Sequence, residues 1–238
     1  LFLFLGDKLM YNHHEAAGNR LSIHIEDRSV WSLFRKRMLL QDINLSVSPG
    51  EMVLVLGGSG AGKTTFINAV MGYEKAHGNI SLDGVDVYKN YEQMKYEIGF
   101  VPQQDWLRMD DSVWATLSNA AELKLPREVT EEERDQKVRE VLETLGLESE
   151  KDSLVSKLSG GQRKRLSIAV EYIVNPSLFF LDEPDSGLDG VMARHLMECL
   201  RGIADQGKTV IVITHNSALT PMADRVIRIK NGKVSNMT

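Results

Sequence analysis

The residues with the clearest chemical potential form one glycine-rich run that ends in a lysine and two threonines. In order they are Gly57, Gly58, Ser59, Gly60, Ala61, Gly62, Lys63, Thr64 and Thr65. Glycines let the backbone turn tightly and aim successive N–H groups at one anion. Lys63 would reach the β- and γ-phosphates of a nucleotide, and the Thr64 hydroxyl would ligate Mg²⁺. The complete pattern predicts a nucleotide-phosphate site, which we call the phosphate loop (residues 57–65), in preference to a turn without a ligand.

Two adjacent carboxylates, Asp182 and Glu183, follow the apolar run 178–181. Phosphoryl transfer asks a protein for positioning and charge compensation more than for covalent chemistry. We expect Asp182 to help hold Mg²⁺ through a water molecule, and Glu183 to orient or deprotonate the attacking water. An apolar strand that ends in Asp-Glu is weak evidence by itself, but it becomes strong downstream of a complete phosphate loop. A purely structural role is the alternative, and it would require a compensating partner for two adjacent charges.

His215 and Gln103 each follow a predicted buried strand, at 209–214 and 98–101. In open α/β sheets the ligand-binding edge lies at the carboxyl ends of the strands, so both side chains are expected there. For His215 the sequence predicts a contact with the γ-phosphate that positions the nucleophile; a structural histidine is the alternative. The side-chain carbonyl oxygen of Gln103 can ligate the metal, and the residue can thereby respond to the γ-phosphate.

A second predicted anion site consists of a serine, two glycines and a glutamine at the start of a helix. These residues are Ser159, Gly160, Gly161 and Gln162. A serine hydroxyl and free N–H groups at a helix start favour an anion. Two γ-phosphate sites from the same molecule would be redundant for one nucleotide, so we expect the two sites to come from different molecules. The sequence therefore predicts a head-to-tail homodimer, with two nucleotides held between the phosphate loop of one copy and residues 158–162 of the other. An ordinary serine N-cap is the alternative.

The elements that must position these groups can be read from apolar patterning. Runs rich in aliphatic residues predict buried strands beside each motif, with helices between them and hairpins at residues 78–85 and 225–234. Strands that alternate with helices favour a mostly parallel α/β sheet. Near the beginning, Leu21, Ile23 and Ile25 alternate with polar residues, which indicates a half-buried strand at a sheet edge or the end of an upstream domain.

Composition excludes several classes of protein. The formal net charge of the 238 residues is −5, so there is no basic footprint for nucleic acid. No apolar stretch approaches the roughly 20 residues of a membrane span. The single cysteine, Cys199, cannot form an internal disulfide. The chain begins with Leu1, which we interpret as a piece of a longer polypeptide; any membrane part would then lie outside it or in a partner.

These motifs occur in an order that resembles the nucleotide-binding domain of an ATP-binding cassette (ABC) transporter over residues of about 20–235. They are the phosphate loop, Leu158 to Gln162, Asp182-Glu183, Ser186-Gly187-Leu188-Asp189 and His215. The resemblance implies an α/β fold: a P-loop NTPase core with a mostly parallel sheet flanked by helices, an antiparallel β subdomain and an α-helical signature subdomain. The ATPase domain would span residues 21–238 and its helical subdomain about 104–172. Residues 1–20 would be a tail or the remnant of an upstream domain.

The resemblance also implies roles for individual residues. Gln103 would lie at the surface that couples to the membrane domain, and Asp189 at the dimer interface. Phe34, or Trp31 as second choice, would stack on adenine. Asp185 departs from the family pattern, which mostly has threonine there. We expect it to be a solvated turn residue with little effect; the alternative is a higher Mg²⁺ requirement or weaker ATP binding.

The function implied is that of an ATP-hydrolysing motor that uses ATP and Mg²⁺ and works with a second copy of itself. The runs 161–169 and 186–189 are most similar to the G-type exporters, the white and pleiotropic-drug-resistance group, in which the transmembrane domain follows in the same chain. This implies export, at the cytoplasmic face of a membrane; the transported substrate cannot be read. The alternatives are a soluble ABC ATPase that acts on ribosomes or DNA, and a regulatory module that binds ATP without hydrolysing it.

Overall fold

The computed structural model describes residues 2–4, 9–11, 20–32 and 35–237. Its strands fall into three sheets. In chain order they are β1 (Phe2–Phe4), β2 (Leu9–Tyr11), β3 (Leu21–Ser32), β4 (Arg35–Val47), β5 (Met52–Leu56), β6 (His77–Leu82), β7 (Val85–Asp86), β8 (Ile98–Val101), β9 (Leu178–Asp182), β10 (Thr209–Thr214), β11 (Arg225–Lys230) and β12 (Lys233–Met237). The α-helices are α1 (Lys63–Val70), α2 (Tyr91–Met94), α3 (Val113–Lys124), α4 (Glu131–Thr144), α5 (Gly160–Tyr172) and α6 (Gly190–Asp205).

The largest sheet has six strands in the order β12-β11-β5-β10-β9-β8. All neighbours are parallel except β11 and β12, which form the hairpin predicted over Asn231-Gly232. The register pairs Thr214 with Leu56 and Ile213 with Asp182. The carboxyl ends of β5, β9 and β10 therefore meet at one edge of the sheet. The predicted mostly parallel α/β core is confirmed.

A separate antiparallel sheet has the order β4-β3-β6-β7. Leu21, Ile23 and Ile25 are buried on one face of β3, as their alternation predicts. The expectation that β3 is an edge strand is wrong, because it pairs with β4 on one side and β6 on the other. Strand order depends on pairing between distant segments, so the pattern of one strand does not reveal it.

The six-stranded sheet is buried on both faces, and successive side chains of its central strands enter different clusters. Met52 and Leu54 of β5 pack with apolar residues of α3 to α6. Val53 and Val55 pack instead with α1 and the antiparallel sheet. This three-layer arrangement explains why β5 is apolar at every position. In the part of the chain that the structure describes, no helix combines the length and the apolarity needed to cross a membrane.

Candidate nucleotide-binding and catalytic site

The phosphate loop connects the buried strand β5 to α1 and follows the geometry that its glycines permit. Gly60 and Gly62 have φ of 74° and 106°, in the left-handed region that favours glycine. Gly62 is the N-cap of α1, and as a glycine it has no side chain with which to cap the helix. The first N–H groups of a helix need partners from outside the helix, and the positive end of its dipole attracts anions. The start of α1 is therefore prepared for a negatively charged ligand.

The Lys63 side chain is buried and held between the loop and a carboxylate. Its Nζ donates to the Gly57 carbonyl oxygen at 2.7 Å and lies 3.3 Å from Oε1 of Glu183. Only 10% of the lysine side chain is exposed, so solvent screens this ion pair weakly. The ammonium group is thus fixed at the floor of the loop by these two contacts.

Glu183 is the residue on which the other predicted groups converge. Its Oε2 accepts a hydrogen bond from Nε2 of Gln103 at 3.1 Å and lies 3.6 Å from Nδ1 of His215. The Glu183 backbone has a φ of 45°, and its N–H donates to the Ile213 carbonyl at 2.8 Å. The structure therefore brings Lys63, Gln103, Glu183 and His215 together from four separate segments of the chain.

Asp182 lies beside this cluster at the end of β9. Burial raises the pKa of its carboxyl group, and the neighbouring charge of Glu183 raises it further, while the Lys63 ammonium partly opposes both effects. A carboxyl group in this position gains from a nearby cation, because the cation offsets the two effects that disfavour its ionised form.

An open cavity of about 780 Å³ lies over these groups. Its walls include residues 58–65, Gln103, Asp182, Glu183 and His215. Among the described residues, the lining also includes five that were not predicted from the sequence: Arg37, Met38, Leu39, Asn231 and Gly232.

Two backbone hydrogen bonds bring the unpredicted residues to the cavity. The Gly232 N–H donates to the Ala61 carbonyl at 3.0 Å, and the Gln41 N–H donates to the Gly232 carbonyl at 2.8 Å. The β11–β12 turn thus joins β4 to the phosphate loop. The basic run 35–37 was the sequence signal available for this part of the wall. It is too short to indicate nucleic acid, but the structure places one of its cations, Arg37, in the cavity wall.

The cavity offers oxygen donors suited to Mg²⁺. The Thr64 hydroxyl, the Asp182 carboxylate and the amide oxygen of Gln103 belong to residues that line it. Across the described residues, no group of three or more His, Cys, Asp or Glu side chains could hold a metal ion by itself. Because Mg²⁺ is usually bound by one or two carboxylates together with substrate phosphates, this donor set fits a metal that arrives with a nucleotide.

Ser159 to Gln162 do not line the cavity, and the structure shows them in a helix cap. The Ser159 Oγ accepts from the Gln162 N–H at 3.2 Å, and Oε1 of Gln162 accepts from the Ser159 N–H at 2.8 Å. This reciprocal capping box leaves the hydroxyl hydrogen of Ser159 and the N–H groups of Gly160 and Gly161 available. The anion-binding role of these residues stays a prediction.

The start of α5 is fixed to the loop that carries Gln103. Lys164 is 3% exposed, and its Nζ donates to the Gln103 carbonyl at 2.9 Å and contacts Oδ1 of Asp105 at 2.8 Å. The Ser167 hydroxyl donates to the same Asp105 oxygen at 2.8 Å.

Asp189 serves as the N-cap of α6, and its carboxylate accepts hydrogen bonds from the N–H groups of Val191 and Met192.

Two expectations have different outcomes. Asp185 was predicted to be a solvated turn residue, and this is wrong: it is 8% exposed and accepts a hydrogen bond from the Thr214 hydroxyl at 2.9 Å. The turn folds the side chain inward under β10, which local sequence cannot show. The predicted adenine contact cannot be placed, because Phe34 and the side chain of Trp31 lie outside the described residues.

Comparison with known proteins agrees with this geometry. A family model described as ABC transporter matches residues 40–186. The ABC transporter ATP-binding/permease protein Rv1747 of Mycobacterium tuberculosis is 41% identical over 203 residues, which are 85% of this chain and 24% of that protein. ABC transporter G family member 22 of Arabidopsis thaliana is 39% identical over 209 residues, 84% of this chain and 27% of that protein. The chain thus spans about a quarter of the length of these relatives.

Solved structures give the same result. The dimeric structure of the bacterial ABC transporter cassette MJ0796 superimposes with a TM-score of 0.77 at 26% identity, covering 90% of this chain and 96% of that one. A post-hydrolysis state of MJ0796 bound to ADP and Pi has a TM-score of 0.78 at 26% identity, covering 92% and 98%. For cbiO1 from Clostridium perfringens the TM-score is 0.80 at 29% identity, covering 90% and 86%. This chain belongs to the ABC transporter family, and its fold is that of the family's ATPase cassette.

Proposed function

We propose that this chain is the ATP-hydrolysing motor domain of an ABC transporter, and that two copies close around two Mg-ATP. The observation that carries the proposal is the convergence of Lys63, Gln103 and His215 on the Glu183 carboxylate beside an uncapped helix start. The solved cassettes support the two-copy arrangement, since one is dimeric and another holds ADP and Pi.

Each residue has a defined task in this proposal. The N–H groups of the phosphate loop and the Lys63 ammonium bind the β- and γ-phosphates, compensating charge that develops during transfer. Thr64, Asp182 and Gln103 would hold Mg²⁺, which would supply further charge compensation. Glu183 accepts a hydrogen bond from the attacking water and orients or deprotonates it, and His215 contacts the γ-phosphate.

The second copy supplies residues that do not reach the cavity within one chain. Ser159, Gly160, Gly161 and Gln162 of one copy contact the γ-phosphate bound by the other, through the donors that the capping box leaves available. Asp189 lies at the interface between the copies, and Phe34 stacks on adenine, with Trp31 as the alternative. In this proposal residues 21–238 form the motor, with a helical subdomain at about 104–172, and residues 1–20 are an N-terminal tail or the remnant of an upstream domain.

A transmembrane domain, in the same full-length chain, is the proposed recipient of the motor's work, in the direction of export and from the cytoplasmic face. The G-family relatives support this assignment. Three hydrophobic side chains near Gln103 or on α3 are unusually exposed: Trp106 at 85%, Met109 at 49% and Leu123 at 85%. Trp106 and Met109 follow Gln103 in one loop, and we propose that this loop contacts the transmembrane domain.

The substitution Glu183→Gln tests the proposal, because it keeps the side-chain shape and removes the proton acceptor. We expect ATP binding to persist and steady-state hydrolysis to fall on the order of 10²- to 10⁴-fold. Size-exclusion chromatography with light scattering should then show an ATP-dependent dimer. Glu143→Gln, the same change at an exposed site on α4, is the matched control and should hydrolyse ATP like the wild type.

Several results would contradict the proposal in distinguishable ways. Wild-type protein that binds ATP without hydrolysing it would indicate a regulatory module. Hydrolysis stimulated by ribosomes or DNA, with no transmembrane segment in the full-length chain, would indicate the soluble class. Unchanged hydrolysis in Glu183→Gln would remove Glu183 from its assigned role.

A further inference from the structure

We propose that Asp185 is a positioning residue that holds the His215 segment in place through Thr214. The inference rests on the proposed function, in which His215 contacts the γ-phosphate. It gives a role to Asp185, which was expected from the sequence to be a solvated turn residue with little effect. Its basis is the buried Asp185 carboxylate, which faces the carboxyl end of β10. His215 is the residue that follows this strand.

The backbone directs the Asp185 side chain inward. After Glu183 the chain turns tightly, with the Ser186 N–H donating to the Glu183 carbonyl at 3.0 Å and the Leu188 N–H donating to the Asp185 carbonyl at 3.1 Å. Asp185 is 8% exposed as a result. Its carboxylate therefore lies beneath the carboxyl end of the neighbouring strand β10.

A directed chain of hydrogen bonds runs from this carboxylate past His215. The Thr214 hydroxyl, fully buried, donates to Oδ2 of Asp185 at 2.9 Å. The Thr214 Oγ1 in turn accepts from the Asn216 N–H at 3.0 Å. The residues on both sides of His215 are thereby tied to Asp185. The His215 side chain itself is 67% exposed, and its Nδ1 lies 3.6 Å from Oε2 of Glu183, so its placement depends largely on its backbone.

A carboxylate oxygen suits this task because it accepts the hydrogen of the Thr214 hydroxyl. The single hydrogen of the Thr214 hydroxyl must point to Asp185, which leaves the oxygen lone pair free for the Asn216 N–H. Asparagine, serine or threonine at position 185 carries a donor of its own, so the hydroxyl could reverse and the bond to Asn216 would weaken. Hydrogen bonds in a chain also polarise one another, and a charged acceptor strengthens the whole chain.

The hydrogen bond from Thr214 satisfies one oxygen of this carboxylate, but the second oxygen is a cost to fold stability. Among the described residues, Oδ1 of Asp185 is buried without a hydrogen-bond partner, and an unsatisfied buried oxygen destabilises the native state. Asp182 and Glu183 lie next to it in sequence and add negative charge. A residue that costs stability and orders the segment beside the predicted γ-phosphate contact is best explained by the reaction.

Hydrogen exchange tests the structural link without requiring activity. In Asp185→Ala and in Thr214→Val we expect the Asn216 amide to exchange about tenfold faster than in the wild type, the effect of weakening one hydrogen bond. Thr209→Val is the matched control: it changes a fully buried threonine at the opposite end of β10 and should leave the Asn216 amide unchanged. Unchanged exchange in Asp185→Ala would overturn the proposal.

Kinetics test the functional half. Asp185→Ala and Asp185→Asn should lower kcat about five- to tenfold, with KM for ATP within twofold, since one hydrogen bond's worth of positioning is lost. Asp185→Ala with Thr214→Val should be no slower than either single variant, because both interrupt one chain. In a His215→Ala background, Asp185→Ala should cause no further loss. An equal loss in that background would overturn the proposal and leave Asp185 a packing residue.

The proposal and the proposed function fail differently. If the wild type does not hydrolyse ATP, the proposed function fails, while faster Asn216 exchange in Asp185→Ala would still support the hydrogen-bond chain. If hydrolysis is normal and His215→Ala is fully active, the role of Asp185 in the reaction is overturned and the motor assignment stands on Glu183.

Discussion

Helices α1 and α5 both begin at glycine-rich segments predicted to bind phosphate, yet their first turns are completed in opposite ways. The start of α1 has a glycine N-cap and no capping side chain, and it opens into the cavity. The start of α5 is closed by the reciprocal bonds of Ser159 and Gln162 and lies away from the cavity. Similar sequence chemistry therefore gives one open helix start and one that satisfies itself.

This difference between the two helix starts indicates which of them needs a ligand to satisfy its polar groups. Around α1 three features are unfavourable by themselves. The pKa of Asp182 is raised, the backbone of Glu183 has a positive φ, and the helix begins at a glycine that offers no capping side chain. Around α5 the cap is complete and the buried Lys164 is paired with Asp105. A bound triphosphate would complete the first region, whereas the second is already formed and can present its remaining donors to another molecule.

The largest expected effect is on the open region. Lys63→Ala should weaken ATP binding about 10- to 100-fold, because a charge-assisted contact contributes roughly 1.5–3 kcal/mol. Calorimetric titration in a Glu183→Gln background would measure this without hydrolysis and without leaving the Glu183 charge unpaired. Lys151→Ala, an exposed lysine, is the control. Unchanged affinity would refute the phosphate-loop assignment.

A smaller effect should separate the self-capped helix from the open one. Ser159→Ala removes an N-cap and should lower the free energy of unfolding by about 1 kcal/mol, with ATP affinity of the single chain unchanged and ATP-driven dimerisation weakened. Thr130→Ala removes the equivalent capping box of α4 and should cost about the same stability without affecting the dimer. Equal dimerisation in both variants would reduce Ser159 to an ordinary cap.

Gly161→Ala sharpens the comparison further. A Cβ at Gly161 would meet only Met192, at 3.9 Å, so the chain itself has room for it. Alanine should raise the free energy of unfolding by about 0.5–1 kcal/mol through helix propensity. If a nucleotide on the partner copy approaches this backbone, dimerisation in the presence of ATP should nevertheless weaken. A loss of stability in urea unfolding would contradict the stated fit.

The smallest effect concerns Asp182. Its pKa is raised in the folded state, mainly by burial and then by Glu183, so the native state holds its proton more tightly than the unfolded state and ionisation destabilises the fold. Asp182→Asn should therefore raise the melting temperature at pH 7.5, and the gain should shrink as pH falls through the folded-state pKa. Thermal melts without nucleotide would test this. A gain that grows on acidification would have the wrong sign.

Much of this molecule followed from local sequence. The hairpins at residues 78–85 and 225–234 and the apolar strands beside each motif formed where their patterns predicted. Such features depend on hydrogen bonds and side-chain periodicity within a few residues, so the sequence contains what determines them. The polar motifs that follow the strands also indicated which residues to consider at the site.

Only the tertiary structure decided how these pieces meet. The order β5-β10-β9-β8 brings Glu183 within reach of Lys63, Gln103 and His215, and the turn at Gly232 adds Arg37 to the cavity wall. Asp185 proved buried, contrary to its turn-like sequence context. Strand order, burial and the partner of a given polar atom arise from contacts between segments far apart in the chain. Local chemistry selects the elements, and long-range packing selects their neighbours.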